Sequence, residues 1–412
     1  MIGAGREQAS LEGRNQMRIA VGLAAAVVLV SGILSGSLSP AWAAPQCGPA
    51  TASLPAVAAA AKALQQTGAK HEDMDTDIGA DERTALQALK QALVEGVEAR
   101  LTCIPASADA ATLEKDLAIT LAAAPAEKPT PDSGLAPGFG EDLQVGVTIT
   151  PAQPTLMLVR LGFAIPCGDD NMLLGYRVVD GKWTRVLLWR SPDYDSIADA
   201  FGAPFNVLPL AGGRIAVTHG TPWCTSAWSK FGFDLIQPGE GAAPQRTVFH
   251  LDHGYRLDQD LSLTARPDGF ELRAEVGMLD TDILMREGIF RYRIAGDTVQ
   301  RIQPAARNGR DFVDEWLQID EPLARAWSDP AAAPGIIAVR ADLLKDKPSP
   351  SYGAVRACKG QAGHYQVELN LGDTGPDLHR YAMLRQDPNG FTMLRFGPKA
   401  DPACKGPDLM KH

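Results

Sequence analysis

The sequence holds little of what usually betrays an activity. No Cys-x-x-Cys pair occurs, so dithiol redox chemistry and structural zinc both lack their usual spacing. Ser226 and Ser229 lack the Gly-x-Ser-x-Gly turn that exposes a hydrolase serine. Basic residues are outnumbered: 39 Lys and Arg stand against 49 Asp and Glu, a formal net charge of -10. An acidic chain repels phosphate backbones and anionic surfaces, which argues against nucleic-acid binding and membrane-surface attraction. After residue 43 no apolar run is long enough to cross a bilayer, so no membrane span is expected once the leading segment is removed.

What is present speaks first of address. Residues 1–43 read as a secretory signal peptide: Arg14 and Arg18 supply the positive region, and residues 19–34 are apolar. Pro40 breaks that run, and Ala41-Trp42-Ala43 has the small-x-small form of a cleavage site. The mature chain is therefore expected to be periplasmic or secreted. All six cysteines lie beyond the cleavage site, and an even number in an exported chain implies disulfides. The expected pairs are Cys47–Cys103, Cys167–Cys224 and Cys358–Cys404.

Residues 44–122 read as a small helical module. Leu54, Val57, Ala61 and Leu64 recur on one helical face, as do Leu86, Leu89, Leu93, Val97 and Leu101. A third helix starts after Asp109, a good N-cap, and carries Leu113, Leu117 and Leu121. An antiparallel pair brings Cys47 and Cys103 together. Residues 123–140 are rich in Pro and Gly and read as a linker, so the module is expected to be separable there.

From residue 141 to 412 the expected texture is a mainly β domain of many short antiparallel strands. Hairpins are predicted around Asp180-Gly181, Asp268-Gly269, Gly296-Asp297 and Asn389-Gly390. Further strands are predicted at 156–163, 205–210, 214–219, 229–236, 246–251, 336–341, 353–358 and 364–371. Residues 311–327 read as short helices broken by Pro322. A β-propeller-like array is the first expectation and a large sandwich the second.

The residues that could carry chemistry form weak constellations. Asp73, Asp75 and Asp77 alternate like the start of a calcium loop. Ile78 stands where that loop wants glycine, and Thr84 where it wants a bidentate Glu, so an acidic turn before a helix is the simpler reading. Calcium is the one cofactor these residues suggest, and otherwise none is expected. His219, His250, Asp252 and His253 could share a ligand cleft, although histidines three apart point to opposite faces of a strand. Asp169-Asp170, Asp280 with Asp282, and Asp314-Glu315 offer carboxylate pairs of the kind glycoside hydrolysis needs. The tryptophans could line a carbohydrate surface or fill a core.

The functional expectation is an exported binding or scaffolding module of the cell envelope, with an envelope protein or polysaccharide as partner. The alternative is an envelope or extracellular hydrolase using carboxylates or histidines in a cleft of the β domain.

Overall fold

A computed structural model describes residues 47, 50, 52–68, 77–122, 139–150, 153–165, 168–195, 202–220, 229–241, 243–256, 261–280, 283–303, 306–345, 350–371, 379–388 and 390–410. The signal segment, Asp73, Asp75, Cys167, Cys224, Asp282 and residues 123–138 of the expected linker lie outside them.

Three helices open the described chain: α1 (Pro55–Gly68), α2 (Ala80–Leu101) and α3 (Ala110–Leu121). Their buried residues are those of the apolar periodicity, from Val57 and Leu64 through Leu93 and Val97 to Leu113 and Leu117. Asp109 caps α3, its side chain accepting from the Thr112 N–H at 2.9 Å. At the start of α2 the Gly79 N–H donates to Glu82 Oε2 at 2.6 Å. Ile78 is buried in the core, and its N–H donates to the Asp195 carbonyl. Cys47 and Cys103 are bridged, as are Cys358 and Cys404.

The rest is mainly β, in four antiparallel meanders that follow one another along the chain. The first sheet is β1 (Glu141–Thr150), β2 (Gln153–Ile165), β3 (Gly168–Val179) and β4 (Lys182–Arg190). The second is β5 (Gly202–Pro209), β6 (Ile215–Gly220), β7 (Ser229–Gln237) and β8 (Arg246–Arg256). The third is β9 (Leu261–Arg266), β10 (Gly269–Gly277), β11 (Met285–Ala295) and β12 (Thr298–Ile302). Helices α4 (Gly309–Gln318), α5 (Glu321–Ala326) and α6 (Ala333–Lys345) intervene. The fourth sheet then closes the chain with β13 (Ser351–Ala357), β14 (His364–Asn370), β15 (His379–Asp387) and β16 (Gly390–Gly397).

The first three sheets are packed face to face in chain order. One face of the first sheet, with Val159, Leu161 and Leu174, shares a core with Leu93, Val97 and Leu117 of the helices. An independent helical module would carry its own core; here the helices and the first sheet have one in common. The end of the expected linker belongs to it too, since Phe139 is buried there and the Gly140 N–H donates to the Ala164 carbonyl. The opposite face of the first sheet, with Leu158, Leu173 and Trp189, meets Ile215, Val217 and Ile236 of the second. The alternate residues Ala216, Phe233 and Leu235 face Phe270 and Tyr292 of the third. β6 is therefore buried along its whole length, the pattern of a strand covered on both faces. Helices α4–α6 cover the fourth sheet, with Phe312 and Trp316 against Val367 and Leu384.

Three local expectations need correction, one of them the turn at Asn389-Gly390, where Asp387 pairs directly with Gly390 and so puts that glycine in β16. Residues 336–341 do not form a strand; they lie in α6, where Ile336, Ile337 and Arg340 make one buried helical face. Their β-branched composition yields to packing. The turn expected at Asp268-Gly269 sits one residue earlier, because Arg266 pairs directly with Gly269. A Cβ on Gly269 would lie 2.0 Å from the Tyr292 carbonyl oxygen, so this glycine serves close backbone approach and not the turn.

Candidate functional site

The first sheet extends past the helices that cover it. β3 and β4 meet in a two-residue turn with Asp180 and Gly181 both at positive φ, the form that Asp-Gly favours. Register places Tyr176 opposite Arg185 and Val178 opposite Trp183. A register shift between Gly175 and Tyr176 aims this tip of the hairpin differently from the strands below it. Tyr176 belongs to the helix-covered core, and Trp183 packs against its edge. Near the tip the cover stops, leaving Val178 and Val179 45% and 48% exposed.

The other wall is the turn after α2, which the Cys47–Cys103 bridge ties down. Leu101, Ile104, Pro105 and Ala106 make it apolar. Between turn and hairpin lies a groove of about 760 Å³. Arg185 Nη1 donates to Glu98 Oε1 at 2.5 Å and joins the two walls. Tyr176 is only 1% exposed, yet its hydroxyl has no hydrogen-bond partner among the described residues, and neither has Trp183 Nε1. Burial pushes the Tyr176 phenol far above its ordinary range, with the Glu98 charge adding to it, so the group stays protonated and can donate. Tyr176 and Trp183 both line the groove, although these two atoms are themselves covered.

The histidines expected to share a cleft divide. His219 on β6 and His250 on β8 flank Asp234 on β7. Asp234 Oδ1 is 2.7 Å from His250 Nδ1, and His219 Nε2 is 3.6 Å from Asp234 Oδ2. Trp189 Nε1, from the first sheet, donates to that same Oδ2 at 2.7 Å. The His219 ring lies over Gly232, where a Cβ would come within 2.2 Å of it. Burial pushes the Asp234 carboxyl up, but the His219, Trp189 and His250 hydrogen bonds together outweigh this and hold it below the ordinary carboxylate range. The cluster ties the first sheet to the second. The side chains of Asp252 and His253 lie outside the described residues; their backbone continues β8 through an irregularity opposite Gly232.

Each carboxylate pair has a member held within the structure. Asp170 is fully buried, 2.8 Å from Lys90 Nζ of α2, and accepts from the Tyr194 hydroxyl. Asp280 accepts from the Tyr352 N–H. Asp314 takes the Leu279 N–H, Arg286 Nε, the Tyr352 hydroxyl and Gln318 Nε2. Asp77 is exposed on the segment before α2. Of the tryptophans, Trp189, Trp316 and Trp327 are buried, and Trp183 lines the groove.

Sequence reasoning found the hairpin and the disulfide but not the groove between them, nor Asp234 as partner of the histidines. Adjacent-strand register was the missing signal in both. No family model matches the chain, and no curated protein is significantly similar to it.

Proposed function

We propose that the protein is an exported binding module of the cell envelope, periplasmic or secreted, which seats its ligand in the groove between the α2–α3 turn and the β3–β4 tip. One observation carries this reading: two groove-lining residues, Tyr176 and Trp183, each carry a buried donor, Oη and Nε1, with no partner among the described residues. Leaving such a group unanswered costs about 1–3 kcal/mol, and of the buried side-chain atoms without partners among the described residues these two belong to residues of the groove. A ligand acceptor supplies the missing partner. The two disulfides are compatible with an oxidising compartment. The stacked meanders fit a propeller-like array of blades better than a sandwich of two sheets.

The hydrolase alternative has less support. Glycoside hydrolysis needs two carboxylates flanking the bond, whereas Glu98 is the sole carboxylate among the described lining residues and is held by Arg185.

Thermal shift against libraries of acetylated hexapeptides and envelope oligosaccharides tests the proposal. Some member should raise the Tm of the mature oxidised chain but not that of the Tyr176→Phe/Trp183→Phe variant. If no member does, or if both proteins respond equally, the groove is not the binding site. Mass spectrometry of the exported chain should find Ala44 as its first residue.

A further inference from the structure

We infer that the groove takes a carboxylate carried on an apolar body, the chemistry presented by the C-terminus of an apolar peptide. This rests on the groove being a binding site and adds what kind of ligand it holds.

The argument is one of complementarity. The polar side chains of the lining are overwhelmingly donors: the Tyr176 hydroxyl, the Trp183 indole N–H, the Lys182 ammonium and the Arg185 guanidinium. Thr102 turns its hydroxyl to the Ala99 carbonyl and is thereby occupied. Glu98 is the single acidic side chain among the described lining residues, and it takes one donor from a guanidinium that carries five N–H groups. Lys182 and Arg185 against Glu98 make the groove locally cationic in a chain whose net charge is -10. A neutral ligand with as many donors as acceptors would leave that imbalance standing. A carboxylate accepts several hydrogen bonds at once, and charge-assisted ones are the stronger kind.

The rest of the lining specifies what the carboxylate is attached to. Leu101, Ile104, Pro105 and Ala106 form an apolar wall opposite the donors. Val178, two residues from Tyr176 on β3 and opposite Trp183, adds exposed apolar surface on the same face. A volume of about 760 Å³ accommodates a few residues of peptide. The donors and the apolar wall face each other, so one end of a ligand meets charge while its side chain meets hydrocarbon.

Isothermal titration of the mature oxidised chain decides it, with three probes: acetyl-Ala-Val-Leu as the free acid, its C-terminal amide, and octanoate. The free acid should bind at least about tenfold more tightly than the amide, the worth of a hydrogen bond to a charged group. Lys182→Gln and Tyr176→Phe should each remove most of that preference while leaving the amide's affinity little changed. Octanoate binding as tightly as the acid would keep the carboxylate and move its source from peptide to free lipid. Equal affinity for acid and amide would overturn the carboxylate but leave the groove as a binding site. Binding of none of the three would overturn the inference, and a response to neutral oligosaccharides in the thermal-shift panel would then show that the groove itself still binds.

Discussion

The junction around α4 and the groove at the β3–β4 tip are both polar regions under cover, yet they differ in which polar groups are paired. At the junction, Asp314 and Glu315 have both carboxylate oxygens taken, by Arg286, Arg301, Tyr352, Gln318 and a backbone N–H. Arg301 lies 4.6 Å from the Phe290 ring centre and also faces Tyr292 and Trp327, so its guanidinium is stacked as well as paired. At the groove, two donors are buried and left open. At the junction the carboxylates are answered from within, although Arg301 Nε has no partner among the described residues; at the groove it is the neutral donors Tyr176 Oη and Trp183 Nε1 that have none. Position relative to the helix cover makes the difference, since α4 sits over its sheet whereas α2 stops short of the hairpin tip.

The largest effect expected from testing this contrast is at the junction. Asp314→Ala should destabilise by about 3–5 kcal/mol in urea unfolding, because Arg286 is left buried without that partner. A loss below about 1 kcal/mol would mean the network is hydrated and not structural. Next, removing the Cys47–Cys103 bridge with a double Ala substitution should cost about 2–4 kcal/mol by freeing a loop of sequence separation 56. It should also weaken ligand binding at the groove, which removal of Cys358–Cys404 should not. Tyr176→Phe should have the opposite sign: the ligand-free chain should gain about 1 kcal/mol, since an unanswered buried hydroxyl is deleted without changing shape. A loss of stability there would show that the hydroxyl is bonded and would erase the contrast.

The smallest effect concerns pH. Asp234 is held below its ordinary value of 3.8, so the stability it contributes is present above that value and is lost as pH falls toward its folded value. In urea unfolding between about pH 4 and pH 2, Asp234→Asn should therefore show a shallower acid loss than the unaltered chain. Equal slopes would mean that His219, His250 and Trp189 do not stabilise the ionised carboxylate.

Much of the local structure was legible before any coordinates. The helical faces of α1–α3, the Asp109 cap and the Asp180-Gly181 turn follow from contacts within a few residues, and these the sequence pattern contains. Pro322 was read as the break between short helices; it lies in the first turn of α5, and α4 has already ended at Gln318. The misreadings share a cause. Residues 336–341 look like a strand until the fourth sheet offers a helical face somewhere to pack, and Gly269 looks like a turn residue until the Tyr292 carbonyl arrives beside it. In each case a partner distant in sequence decided the outcome.

The sequence by itself determined the secondary structure class and the positions of most hairpins, because propensity and turn chemistry act along the chain; the two bridges, at separations of 56 and 46, were expected from the cysteine count and the helix pair and needed the fold to close them. Only tertiary structure decided that three meanders stack face to face while helices cover the fourth, that Asp234 collects His219, His250 and Trp189, and that Tyr176 Oη and Trp183 Nε1 find no partner among the described residues. Those outcomes depend on sheet register and on where one layer stops relative to another. Both are set by packing between segments tens of residues apart, on which no local pattern reports.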